Sequence, residues 1–145
     1  MLFRSNSSLA KVEALKAGYD EAILLNNEGL VSECTGENLF VVRNGRIITP
    51  PLSAGALEGI TQASVIKILE DLGYEVEKGN IARSDLYIAE EIFCVGTAAE
   101  VSAINSVDDR KVPCPGPITK QVAETYGKAV RGQIPQYAHW CELAK

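Results

Sequence analysis

The chain has 145 residues, enough for one domain with a buried core. Hydrophobic residues make up 46% and charged residues 23%, ordinary values for a soluble globular protein. The formal net charge of −5, with no basic block or aromatic-basic interleave, argues against nucleic-acid binding, and no apolar run reaches membrane-spanning length. The start, Met1 to Ser5, has no apolar core for a signal peptide. The four cysteines, Cys34, Cys94, Cys114 and Cys141, show no C-x-x-C spacing, so a reduced, cytoplasmic protein is expected. The single histidine, His139, lies near Cys141 alone, which is too little for a zinc site.

In chain order, Ser7 or Ser8 is expected to cap a helix from about Leu9 to Lys16, ended by Gly18. Glu21 to Leu25 reads as a short apolar strand. Asn26-Asn27-Glu28-Gly29 is turn chemistry, and Leu30-Val31 begins the return arm of a hairpin. Leu39 to Val42 and Arg46 to Thr49 flank Arg43-Asn44-Gly45, the sharpest hairpin signal in the chain. Pro50-Pro51 forbids continuing that strand. Gly59-Ile60-Thr61 precedes a helix whose apolar face carries Val65, Ile66, Ile68, Leu69 and Leu72, closed by Gly73. Tyr74 to Glu77 alternates as a half-exposed strand, and Arg83 to Tyr87 reads as a short helix with Ser84 as its N-cap. Glu91 to Val95 is a buried strand running into Gly96-Thr97-Ala98-Ala99-Glu100. Val101 to Val107 reads as one more strand, followed by an Asp108-Asp109 turn, a proline-rich bend and a last helix from Ile118 to Val130. No linker or internal repeat divides the chain, and the mixture of elements gives an α/β or α+β class.

Three segments could carry chemistry. In Val31-Ser32-Glu33-Cys34-Thr35-Gly36-Glu37-Asn38-Leu39-Phe40 an acidic cluster runs into an apolar strand. Carboxylates in such a place are costly unless a cationic or protonated partner meets them. Gly59-Ile60-Thr61 opens a helix, whose free N–H groups and positive dipole end suit a phosphate; the alternative is that Thr61 merely caps the helix. Gly96-Thr97-Ala98 leaves the carboxyl end of a buried strand, where ligands of open α/β sheets sit; the alternative is a tight turn in which Thr97 satisfies its own backbone. No P-loop, G-x-G-x-x-G or G-x-S-x-G is present. A Glu33/Glu37 glycosidase pair has nothing else in the chain to support it, and no cysteine is marked as a nucleophile.

Together these segments resemble the fold type IV pyridoxal-phosphate enzymes, specifically the branched-chain aminotransferases. Glu33 to Phe40 is similar to that family's S-E-x-x-x-E-N-x-F element. Thr49-Pro50-Pro51 through Leu57-Glu58-Gly59-Ile60-Thr61, then Gly96 to Glu100, follow in the family's order and rough spacing. Ala14 to Asp20 resembles its E-A-x-x-x-G-Y stretch, and Arg131-Gly132 through Tyr137-Ala138-His139-Trp140 its C-terminal signature.

The resemblance implies the C-terminal cofactor-binding domain of the D-amino-acid aminotransferase-like fold over residues 7–145, with residues 1–6 matching nothing. It implies pyridoxal 5'-phosphate as cofactor. Glu33 would face the pyridine nitrogen. Ile60, Thr61, Gly96 and Thr97 would bind the phosphate, and the Thr97 and Ala98 amides would face the substrate carboxylate. The implied reaction moves an amino group between a branched-chain amino acid and 2-oxoglutarate, in an enzyme that forms a homo-oligomer. The family's Schiff-base lysine would fall before Met1, and neither Lys11 nor Lys16 matches it. The smaller N-terminal domain is also outside the sequence, so the chain is expected to be inactive alone, a fragment of a split or truncated enzyme. Gln62 stands where the family often has Arg, and Cys34 where it often has Gly. Two alternatives stay open: a D-amino-acid aminotransferase or aminodeoxychorismate lyase relative, and a non-catalytic binding module.

Overall fold

A computed structural model of the chain describes residues 2–142. Its centre is a five-stranded sheet in the order β5-β4-β3-β6-β7. These strands are β3 (Asn38–Arg43), β4 (Arg46–Thr49), β5 (Val76–Lys78), β6 (Glu91–Gly96) and β7 (Glu100–Ala103). All neighbours are antiparallel except β4 and β5. A separate hairpin, β1 (Ile23–Leu25) and β2 (Val31–Cys34), packs against one face.

The sequence dictates these faces by its period of two. In β3 and β6 every residue from 38 to 42 and from 91 to 95 is buried, as central strands covered on both sides require. Phe40, Val42, Phe93 and Val95 face helices α2 (Ile60–Asp71) and α4 (Pro117–Ala129), packing with Val65, Ile68, Leu69, Val122 and Tyr126. Phe40 and Phe93 pair across the strands with ring centroids 5.0 Å apart, worth about 0.5–1.5 kcal/mol beyond the area they bury. Leu39, Val41, Ile92 and Cys94 face the other way, against Val31, Cys34, Ile81, Leu86 and Val112.

Both expected hairpins form. Asn44 and Gly45 have φ of 52° and 72°, the pair of positive values a type I′ turn demands. The chain leaves β4 at the two prolines and enters a 3₁₀ turn, Leu52–Ala54. Gly73 ends α2 at φ 88°, and the Asp108-Asp109 turn forms with both residues at positive φ.

Four expectations are corrected. The first helix, α1, runs Leu2–Lys16, so Ser7 and Ser8 lie within it rather than at its cap. The strand expected at 74–77 is displaced to Val76–Lys78 because Tyr74 closes the α2 cap, its N–H bonding to Leu69 O at 3.0 Å. The short helix α3, Arg83–Leu86, is capped at Ala82, not Ser84; Asp85 Oδ2 accepts the Ala82 N–H at 2.9 Å and supplies the cap from inside the first turn. The strand expected over 101–107 is two: β7 ends at Ala103, and β8 (Ser106–Val107) pairs separately with β9 (Arg110–Lys111). A further 3₁₀ segment, Pro135–Trp140, lays Tyr137 into the core, and Tyr137 donates to Asp71 Oδ2 at 2.8 Å.

Candidate functional site

The N-terminus of α2, the loop between β2 and β3 and the end of β6 converge on one cavity of about 1040 Å³. Glu33, Ile60, Thr61, Gly96 and Thr97 all line it, with Lys11 and Val12 of α1 along one wall. Ala98 sits in the exposed turn just past Thr97 and is not among the lining residues. Because the sheet is mostly antiparallel, the rule that places ligands beyond parallel strand ends does not locate this site. It lies where the start of β3, the end of β6 and a helix N-terminus meet.

Two side chains of the acidic stretch hold the α2 entrance. Glu33 Oε2 accepts the Leu57 N–H at 2.7 Å, and Asn38 Nδ2 donates to the Leu57 carbonyl at 2.8 Å. The loop before α2 is thus clamped at both ends of one residue. Gly59 is required there: a Cβ would overlap Asn38 Oδ1, although its φ of −80° and ψ of 137° are open to any residue. Gly59 is also the N-cap and carries no side-chain cap, so the first-turn N–H groups of α2 are left to whatever enters the cavity. Thr61 is buried at the second helical position, and its hydroxyl has no protein partner among the described residues. A merely capping Thr61 is therefore not what the structure holds. Gln62 points away from the cavity: its Nε2 donates to Thr49 Oγ1 at 3.0 Å, and Thr49 donates to Leu39 O at 2.7 Å, a buried chain that bolts α2 to the sheet.

Sequence reasoning missed the carboxylate that organises the acidic loop from beneath. Glu21 accepts from Thr35 N at 3.1 Å, from the Thr35 hydroxyl, from Ala22 N at 2.8 Å and from Lys11 Nζ at 2.6 Å. Burial pushes its carboxyl up, but the bonds from Lys11, Thr35 and Ala22 outweigh this and hold it below the ordinary range. Glu37 is its opposite. Burial, then the neighbouring Glu21 charge, raises the Glu37 carboxyl, and its Oε2 is buried with no donor among the described residues. Glu37 also explains Gly96, since a Cβ there would meet Glu37 Cγ at 3.1 Å and Gly36 O at 3.3 Å. Glycine at 96 makes room for the protein's own acidic loop. The alternation of polar and apolar residues around Glu21 could not reveal any of this, because its partners lie 10 and 14 residues away.

Lys11 is the one lysine lining the cavity among the described residues, and it is fully engaged. Nζ donates to Glu21 Oε2 and to Asp20 O, each at 2.6 Å, and the Glu21 bond raises its pKa further. It is a structural cation, poorly suited to act as a neutral amine nucleophile.

The family described as amino-transferase class IV matches residues 4–107. A probable branched-chain-amino-acid aminotransferase of Aquifex aeolicus is 54% identical over 138 residues, covering 93% of this chain and 44% of that protein. Among solved structures, the branched-chain aminotransferase of Thermoproteus uzoniensis with norvaline superposes with a TM-score of 0.92 at 50% identity, over 94% of this chain and 46% of that one. The branched-chain amino acid aminotransferase of Thermobaculum terrenum in its PLP-form gives 0.92 at 44% identity, again over 94% of this chain and 46% of that one. The chain therefore has the mixed α/β fold of these enzymes and spans less than half the length of the relatives it matches.

Proposed function

Given that the chain belongs to the class IV aminotransferase family, we propose that it is the pyridoxal 5'-phosphate-cradling part of a branched-chain aminotransferase. The observation that carries this reading is the cavity itself. An uncapped helix N-terminus, a Thr61 hydroxyl with no protein partner among the described residues, and the Glu33 carboxylate all line it. Such a pairing suits a ligand that is anionic at one end and protonated on a ring at the other.

The residues fit the cofactor. The Ile60 and Thr61 N–H groups and the Thr61 hydroxyl would hold its phosphate, and Thr97, beside Gly96, would close the cradle. Among the described residues Glu33 engages through Oε2 alone, with the Leu57 N–H, and its other oxygen would keep a proton on the ring nitrogen. When bound, the cofactor supplies an electron-withdrawing ring for chemistry at the α-carbon of an amino acid. The Thr97 and Ala98 amides would receive the substrate carboxylate. In this reading the substrates are a branched-chain L-amino acid and 2-oxoglutarate. The covalent amine and the rest of the substrate pocket come from outside these 145 residues, because Lys11 is committed to Glu21. The 145-residue chain by itself is then inactive. Exposed Leu9, Val12 and Leu15 on α1 support association with further protein in a homo-oligomer. Four unpaired thiols suit a reducing cytoplasm.

The test is titration of the chain with pyridoxamine 5'-phosphate, which needs no lysine to bind, beside unphosphorylated pyridoxamine. Charge-assisted bonds from a helix N-terminus and a hydroxyl should favour the phosphorylated form by roughly tenfold or more, on the order of 1.5–3 kcal/mol per bond. Equal affinity for the two would overturn the reading.

A further inference from the structure

Asn38 stands where the three segments around the first cavity meet. It opens β3, where its register partner is Val95, one residue before Gly96. Its side chain reaches 19 residues along the chain to donate to the Leu57 carbonyl at 2.8 Å. Its Oδ1 lies so close to Gly59 that a Cβ there would overlap it. Both ends of the amide meet protein, and Asn38 is buried although it lines the cavity. Residues 56–59 belong to no helix or strand. Among the described residues Leu57 is held by side chains alone, its N–H by Glu33 Oε2 at 2.7 Å and its carbonyl by Asn38. A second cavity, of about 870 Å³ beside Cys94, shares Glu37 with the first but is not lined by Glu33, Asn38 or Leu57, so this clamp serves the first alone.

We propose that Asn38 is a positioning residue for the cofactor: it holds Leu57 so that the Leu57 N–H fixes the Glu33 carboxylate opposite the ring nitrogen. The proposal rests on the assignment of this cavity to pyridoxal 5'-phosphate. An N–H bond to one carboxylate oxygen restricts rotation of the side chain and keeps the other oxygen in one place. A loop residue outside any ladder supplies such a bond only while its own peptide planes are pinned. Asn38, rigid in a central strand, pins the plane on the far side of Leu57. It therefore acts at the ring end of the ligand through Leu57 and Glu33, without touching the ligand. The other charged groups lining the cavity are Lys11 of α1, Glu37 of the acidic loop and Glu58 before α2. Lys11 is paired with Glu21, and among the described residues the Leu57 N–H and carbonyl are bonded by Glu33 and Asn38, not by these three.

The test uses the full 145-residue chain saturated with pyridoxamine 5'-phosphate labelled at the ring nitrogen. Nitrogen NMR against pH reads the proton on that atom. In the unaltered chain Glu33 should hold the ring pKa above that of the free ligand. Asn38→Ala should bring it down by about one pH unit or more. Gly59→Ala, whose methyl displaces the same side chain, should give the same change and decides the matter if Asn38→Ala does not fold. Glu33→Gln should remove the elevation, and adding Asn38→Ala to it should then move the ring pKa no further. A tie that served stability alone would lower the urea midpoint and leave the ring pKa where it was. An unchanged ring pKa in the Asn38 and Gly59 variants, or an equal drop with and without Glu33, would overturn the proposal while the cavity assignment stands. A ring pKa equal to that of the free ligand in the unaltered chain would overturn the Glu33 assignment, and the proposal with it.

Discussion

Gly59→Ala tests the clamp at the entrance to α2. The backbone at residue 59 lies at φ −80° and ψ 137°, so alanine meets no conformational penalty, and any cost is steric. A Cβ there would overlap Asn38 Oδ1 and lie 3.4 Å from Asn38 Cγ. Asn38 is 6% exposed and donates to the Leu57 carbonyl at 2.8 Å. It must rotate away and leave a buried polar group poorly paired, at about 1–3 kcal/mol. Ala for Gly at an N-cap adds a few tenths, and the stiffer unfolded chain returns about 0.4–1 kcal/mol. A net loss of about 2 kcal/mol is expected from urea unfolding followed by circular dichroism. Asn38→Ala alone should cost about 1.5 kcal/mol by the loss of its bond. In the double variant the obstacle is already gone, so its cost should fall short of the sum by about 1 kcal/mol or more. Additivity within about 0.5 kcal/mol would refute the steric argument.

Glu91 should prove to be the cap of α4 from a distance, since its carboxylate accepts from Ile118 N at 3.1 Å, Thr119 N at 2.8 Å and Thr119 Oγ1 at 2.6 Å. Glu91→Ala should cost about 3 kcal/mol in urea unfolding, and a loss below about 1 kcal/mol would contradict the assignment. The Glu21–Glu37 pair gives stability a pH dependence of known sign. Glu37 is raised, so its contribution is whole below the ordinary 4.5 and is lost as pH climbs through its higher folded value. Glu21 is lowered, so its contribution is whole above 4.5 and is lost as pH falls through its lower folded value. Urea midpoints should flatten on the alkaline side in Glu37→Gln while the acid limb persists; an unchanged alkaline limb would count against a raised Glu37 carboxyl. Thr61→Ala should weaken pyridoxamine 5'-phosphate binding by roughly 10-fold or more and leave pyridoxamine binding unchanged, as read by fluorescence titration. The 145-residue chain, cleared of host enzymes, should show no transamination of leucine with 2-oxoglutarate, and measurable turnover would defeat that part of the reading.

Much of this fold was legible because its signals are local. Asn44-Gly45 fixes a hairpin, Pro50-Pro51 ends a strand, and the Val65/Ile68/Leu69 spacing marks one helix face. The displaced and divided elements are those decided elsewhere. Ser84 lost the cap to Ala82 because Asp85 could reach back, and the run from Val101 breaks where β8 finds a different partner in β9. The site divides in the same way. Glu33, Ile60, Thr61, Gly96 and Thr97 stand out as residue types in suggestive company, and the fold gathers them around one cavity. Their support was not readable. Glu21 supports Thr35 across 14 residues and Asn38 holds Leu57 across 19. Such long-range pairs leave no period in a sequence.

The most direct measurement of the central claim is a crystal structure of the chain with pyridoxamine 5'-phosphate bound. The account expects the phosphorus against the Ile60 and Thr61 N–H groups and the ring nitrogen within hydrogen-bond reach of Glu33. A phosphate held by Lys11, or a ligand lodged in the second cavity beside Cys94, would contradict it.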